Sequence, residues 1–352
     1  MSVQPTTPAA ASPAPPVPGP LTAGAPVSAA AAPVLPSTAL PVPALRRPRR
    51  LVPGDRVAVV APSGAVRQDR LDHGVEILES WGLRVEVLPH VLSGHPELPY
   101  LAAPDRLRAA DLQRAWLDPG VAAVVCARGG YGAQRVVDLL DWTAMAAAAP
   151  KVLVGYSDVT ALHEALAVRL GLASLHGPMA AAAVFGADPA TAEHLRLTLF
   201  EPERTQLLGS ATAECLVPGR ARGVTAGGCL SLLAADRGTP HARPGFAGAI
   251  LCVEDVDEDL YAVDRLLTQL LRSGALDGVA GIALGSWQDC RPSLARVRGL
   301  MLERLAPLGV PVIWELGFGH GPSSLTVPLG VPAVLDADAG TITLDVPALV
   351  TP

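Results

Sequence analysis

The stretch KVLVGYSDVTALHEAL, residues 151–166, reads as a buried strand, a tight turn and a helix. Val152, Leu153 and Val154 form the apolar, partly β-branched run of a strand covered on both faces. Gly155 permits a sharp change of direction. From Thr160 the pattern becomes helical, with Leu162, Ala165, Leu166 and Leu170 on one face. The turn holds Ser157 out of the sheet edge, where backbone N–H groups and a helix N-terminus favour negative charge. A serine nucleophile with an oxyanion site beside it needs that geometry. Val159 stands where a G-x-S-x-G elbow has its second glycine, and a helix N-cap suits Ser157 equally well.

Working outward, the flanking segments repeat the alternation. Residues 56–61, 84–88 and 121–127 read as strands, and 69–81, 103–117 and 133–140 as helices. Alternating strands and helices imply right-handed crossovers and a parallel sheet covered on both faces. Ligands of such sheets bind beyond the carboxyl ends of the strands. Two loops lie there, the Ser157 turn and Arg128-Gly129-Gly130-Tyr131-Gly132, so they face one another. Further on, 222–228, 249–253, 279–284 and 310–313 read as strands. Residues 229–236, 261–271 and 294–305 read as helices, and 333–344 as a hairpin turning at Ala339-Gly340.

The chain has 352 residues, which suggests two domains, and residues 1–46 form an Ala/Pro-rich tail expected to be disordered. The cluster Arg46-Arg47-Pro48-Arg49-Arg50 reads as a solvated boundary. The expected division is an α/β domain over 47–184, an irregular connection over 185–218 with a helix at 190–200, and a second domain over 219–352. A net charge of −6 gives no support for nucleic-acid binding, and no apolar run reaches the roughly 18 residues of a membrane span. Lys151 is the sole lysine. Five scattered cysteines without a C-x-x-C pattern argue against a disulfide framework or a zinc site and fit a reducing compartment. With no secretory signal legible at the start, the cytoplasm is the expected location.

A serine nucleophile needs a base, and the base an orienting acid. Of eight histidines, His163 lies on the serine's own helix and points away. His73, His90, His95, His194 and His241 read as surface residues, and His176 as a pocket residue. His320, in Gly317-Phe318-Gly319-His320-Gly321-Pro322, is the best base, because the glycines free the backbone to present its imidazole. The acid comes from the run 254–259. Glu254 follows the apolar Ile250-Leu251-Cys252-Val253 directly, and a carboxylate at the end of a buried strand must find a partner. It is chosen ahead of Asp255 and Asp257.

Several segments together resemble the LD-carboxypeptidases, serine peptidases that include the microcin C7 self-immunity proteins. They are VAVVAPSG (57–64), DRLRAADLQRAWLDPGVAAVVCARGGYG (105–132), GYSDVTALH (155–163), HGPM (176–179), LCVEDVDEDLYAVDRLLTQL (251–270) and GFGHGPSSLTVPLG (317–330). The resemblance runs from about residue 50 to the C-terminus. It implies an N-terminal parallel-sheet α/β domain, flavodoxin-like or glutamine-amidotransferase-like, and a smaller mixed C-terminal domain. It also implies a homodimer that uses no metal or cofactor. The family's triad falls on Ser157, Glu254 and His320, and its oxyanion donors on the backbone N–H groups of Asp158 and Gly130. Arg128, Tyr131 and His176 are the expected substrate contacts. The implied activity is cleavage of an L–D amide bond, releasing terminal D-alanine from a peptidoglycan tetrapeptide. The alternatives are hydrolysis of peptidyl– or aminoacyl–nucleotide conjugates, and a non-catalytic protein that binds muropeptides. The long tail and the segment 185–218 depart from the family pattern.

Overall fold

The computed structural model describes residues 40–351. Residues 1–39, most of the expected tail, lie outside the described residues. The end of that expectation is corrected, because residues 40–46 are bound to the body of the protein. Val42 is buried and its N–H donates to Ala247 O at 2.8 Å. Leu45 N–H donates to Gly330 O at 2.8 Å and Arg46 N–H to Gly171 O at 2.9 Å. Apolar side chains at 42 and 45 give this extended segment surface to bury. Arg49 pairs with Asp55 at 2.7 Å, so the basic cluster is partly used inside the structure.

The first lobe alternates strands and helices. Strand β1 is Arg56–Val60, α1 Gln68–Ser80, β2 Arg84–Val87, α2 Asp105–Leu117, β3 Val121–Cys126, α3 Ala133–Val137 and α4 Trp142–Ala147. Then come β4 Val152–Gly155, α5 Thr160–Leu170, β5 Ser174–His176, α6 Ala183–Ala187 and α7 Pro189–Phe200. Strands β5, β4, β3, β1 and β2 are parallel in that order. All four residues of β4 and five of six in β3 are buried, as helices covering both faces require. The chain runs from β1 outward to β2 and returns on the other side of β1 as β3. A crevice therefore opens at the carboxyl ends of β1 and β3. The loops after these strands meet there, with Gly64 N–H donating to Gly129 O at 2.9 Å.

The second lobe is built on a mixed sheet. Its elements are β6 Leu207–Gly209, β7 Glu214–Val217, β8 Arg220–Cys229, α8 Leu230–Ala235, β9 Ala249–Val256, α9 Leu260–Arg272, β10 Gly281–Gln288, α10 Leu294–Leu305 and β11 Val312–Trp314. The chain closes with β12 Val327–Leu329, β13 Pro332–Asp336 and β14 Thr341–Leu344. Strands β8, β9, β10 and β11 run parallel in the centre, with β13, β14 and β6 on one flank and β7 on the other. This lobe, expected to be the smaller, carries the larger sheet, eight strands against six. One face packs on α8, α9 and α10, and the other buries Ile250, Cys252, Phe318 and Leu335.

Residues 185–218, read as an irregular connection around a helix at 190–200, are structured beyond that helix, which the structure has as α7. Asp188 caps α7 through the N–H groups of Ala190 and Thr191, and Phe185, Leu195 and Leu199 join the first core. The short strands β6 and β7 join the second sheet. Strand β12 crosses back from the second lobe to pair antiparallel with β5, setting Val327 opposite His176. Among the described residues no helix is long and apolar enough to cross a membrane.

Candidate active site

Ser157 lies just beyond β4. Tyr156 is extended, Ser157 has a left-handed φ of +62°, and a 3₁₀ turn, Ser157–Val159, leads into α5. A left-handed serine costs about 1–3 kcal/mol and persists only where its surroundings fix it. They do so closely. A Cβ at Gly155 would lie 2.8 Å from Val159, and one at Gly129 would lie 2.9 Å from Ser157 Cβ and 3.0 Å from its Oγ. Helix α5 begins with Val159 as its N-cap residue, and Ser157 Oγ caps no helix. The capping alternative for Ser157 is therefore set aside.

Glu254 is fully buried within β9, which runs three residues further than the sequence suggests. Its Oε2 accepts a hydrogen bond from His320 Nδ1 at 2.6 Å. Gly319 makes this approach possible: a Cβ there would stand 2.6 Å from Glu254 Oε2. The loop is pinned by Ser286 N–H to Phe318 O at 2.8 Å and Leu325 N–H to Gly317 O at 2.8 Å. Alternation along β9 sends Asp255 to the other side. There it accepts from Ser231 N–H at 2.8 Å, Val256 N–H at 2.9 Å and Cys229 Sγ at 3.2 Å. Asp257 pairs with Arg291 at the surface. Of the three acids weighed in the sequence, only Glu254 meets an imidazole.

The electrostatics of the pair are coupled. Burial alone would raise the Glu254 pKa, but His320, with help from His176, holds it below the usual carboxylate range. Burial alone would lower that of His320, yet the Glu254 charge and hydrogen bond lift it above the ordinary 6.5. Asp255 is pushed up to about 6 by burial and by the neighbouring Glu254 charge.

The His320 ring lies 4.8 Å from that of Tyr156, the residue before Ser157. Among the described residues no hydrogen bond joins Ser157 Oγ to His320. The imidazole is held at Nδ1, which leaves Nε2 to exchange a proton with a group beside it.

His176, read as a substrate contact, is 1% exposed. Its Nε2 stands 3.6 Å from Glu254 Oε1, and its ring packs between Tyr156 and Phe318. It backs the carboxylate and faces no open space, because β5 places it inside the sheet. Arg128 is exposed and donates to Ala65 O at 2.6 Å. Tyr131 is exposed and packs against Tyr100 with centroids 6.0 Å apart. Asp158 is buried and accepts from Ala133 N–H at 2.7 Å. Gly130 has φ +99° beside Gly64.

Two histidines assigned to the surface are corrected. His241 is buried against Asp138 at 2.9 Å, and His194 Nδ1 accepts from Thr326 N–H at 3.1 Å. His163 is a satisfied core residue, bonded to Ser174 Oγ and Gly155 O at 2.8 Å each. Sequence reasoning also missed Arg108. Its buried guanidinium donates to Ala103 O and Gly132 O at 2.9 Å each, and to Pro62 O and Asp105. It thereby ties together the two loops at the carboxyl ends of β1 and β3. An arginine inside a helix carries no sequence signal for such a role.

Comparison with known proteins gives concordant matches. The LD-carboxypeptidase N-terminal domain matches residues 57–177, and the LD-carboxypeptidase C-terminal domain matches 222–335. A putative carboxypeptidase of Streptomyces coelicolor, SCO6489, is 62% identical over 308 residues, 88% of this chain and 99% of that relative. The murein tetrapeptide carboxypeptidase of Pseudomonas aeruginosa is 34% identical over 303 residues, 80% of this chain and 94% of that protein. The crystal structure of muramoyltetrapeptide carboxypeptidase from Oxalobacter formigenes superposes with a TM-score of 0.71. It is 30% identical and covers 84% of this chain and 100% of its own.

Proposed function

This chain belongs to the LD-carboxypeptidase family and is a serine-type carboxypeptidase; from that premise we propose that it removes the terminal D-alanine of a peptidoglycan-derived tetrapeptide through Ser157, Glu254 and His320. The observation that carries this reading is the 2.6 Å bond from His320 Nδ1 to the buried Glu254, beside a serine held at a left-handed turn. In the proposed reaction His320 Nε2 takes the Ser157 Oγ proton as Oγ attacks the carbonyl carbon of the L–D amide. Glu254 fixes the tautomer and stabilises the imidazolium. The backbone N–H groups of Asp158 and Gly130 receive the oxyanion, a contribution of roughly 3–4 kcal/mol per donor. His320 returns the proton to the departing D-alanine nitrogen, and a water activated by the same imidazole releases the acyl group.

The free structure lacks the serine–histidine bond, so in this reading it forms when substrate enters. Arg128 is the proposed partner of the terminal carboxylate, since a guanidinium fork suits two oxygens. Tyr131 is proposed to flank it. The family resemblance further supports a homodimer acting in the cytoplasm during cell-wall recycling.

The test is incubation with L-Ala-γ-D-Glu-meso-diaminopimelyl-D-Ala, following free D-alanine beside a Ser157→Ala control. Release by wild type and a loss of roughly 10⁵-fold in the variant are expected. Turnover retained in Ser157→Ala would refute the nucleophile. No release from either protein would redirect the search to peptidyl–nucleotide conjugates.

A further inference from the structure

A cleft of about 680 Å³ opens in the second lobe, at the carboxyl ends of β10 and β11, where parallel sheets commonly hold ligands. One wall is the loop that carries His320: Gly321 lines the cleft, and a Cβ there would stand 3.4 Å from Ser286 Cβ. The lining contains two carboxylates, Asp289 and Glu315, and no lysine, arginine or histidine. Among the described residues neither carboxylate forms an ion pair. Glu315 is half-buried, and burial together with the charge of Glu214 raises its pKa, as expected for a carboxylate lacking a cation.

Two further lining groups want partners. Ser286 is 8% exposed and Trp287 2%, yet neither Ser286 Oγ nor Trp287 Nε1 has a hydrogen-bond partner. Buried polar groups are nearly always paired, and an orphaned one calls for an explanation. The Trp287 indole is also fixed in place, stacked on Trp314 at 6.4 Å.

We propose that Glu315, Asp289 and Ser286 form a subsite for a primary ammonium group on a side chain of the peptide substrate. An ammonium offers three N–H donors and no acceptor, which matches two carboxylates and a hydroxyl oxygen. The subsite rests on the proposed carboxypeptidase function, because it places the recognised amine next to the loop that presents His320.

Two peptides test it, L-Ala-γ-D-Glu-L-Lys-D-Ala and its Nε-acetyl-lysine counterpart. Each is titrated calorimetrically into Ser157→Ala protein, and D-alanine release by wild type is measured separately. The subsite predicts that the free amine binds about tenfold tighter or more. It also predicts that Glu315→Gln in the same background brings the two affinities within about twofold. Should that variant fail to fold, Asp289→Asn, at an exposed position, replaces it, and the ratio in Ser157→Ala protein already decides. Equal affinities, or binding of neither peptide, overturn the subsite. Release of D-alanine with equal affinities sinks the subsite alone, whereas a tenfold preference without release sinks the carboxypeptidase reading alone.

Discussion

Gly129 and Ser157 pack so closely that a methyl group on the glycine would stand 2.9 Å from the serine Cβ and 3.0 Å from its Oγ. The Gly129 backbone itself is not left-handed, so an alanine there is opposed by the serine and not by its own φ. Gly129→Ala must move either the loop or the Ser157 side chain. Displacements of about 1 Å at a reacting group cost roughly 10²-fold in rate. The variant should lose about that factor in kcat while its Tm falls by only a few degrees. Unchanged kcat would mean that the serine does not need its present position.

Glu254→Gln should lower kcat by roughly 10⁴-fold with little change in KM, because an amide cannot hold the imidazole in the required tautomer. The pH dependence should move as well. His320 acts as a base only when neutral, and Glu254 raises its pKa, so wild-type kcat/KM should climb with pH through a midpoint above 6.5. Without the carboxylate, burial dominates and lowers the histidine pKa. The acidic limb measured for Glu254→Gln should therefore shift to lower pH. A limb that stays in place would assign that titration to another group.

The parts of this fold legible in the sequence are those where pattern and burial agree. Val152, Leu153 and Val154 read as a central strand because both faces of β4 are covered. Glu254 reads as a buried acid because four apolar strand residues precede it. Strands β6 and β12 are not legible, because three residues carry no periodicity and their pairing depends on partners far away in the chain. Arg108 and His241 elude a local reading for a related reason. Arg108 reaches Pro62 O and Gly132 O, and His241 reaches Asp138, groups that no local window contains. Alternation along the extended β9 puts Asp255, the next acid in the run, on the other face of the sheet from Glu254.

Asp255 should make the protein less stable as pH rises. Its folded pKa of about 6 lies above the ordinary 3.8, so the folded state binds the extra proton between those values. The linked stability is fully present below pH 3.8 and is lost as pH rises through about 6. A difference of that size is linked to at most about 3 kcal/mol. Asp255→Asn removes this dependence. In denaturant titrations the variant should gain on wild type steadily between pH 4 and 7. Parallel stability curves across that range would place the carboxylate in a better-solvated setting.

Arg108 offers the sharpest separation of loop positioning from bulk stability. Its guanidinium serves three carbonyl oxygens and Asp105 at once, joining the Pro62 turn to Gly132 at the end of the glycine-rich loop. Lysine keeps the charge but not the planar fork, so Arg108→Lys can satisfy only part of this set. Arg108→Met leaves three carbonyl acceptors without this donor and Asp105 with Arg135 alone, at a cost of about 1–3 kcal/mol for each buried acceptor left unpaired. The lysine variant should therefore stay folded and lose roughly tenfold in kcat as the loop bearing Gly129 and Gly130 drifts from Ser157. The methionine variant should unfold at markedly lower denaturant. If Arg108→Lys keeps full kcat while its stability falls, the guanidinium holds the scaffold and has no part in aligning the loop with the serine.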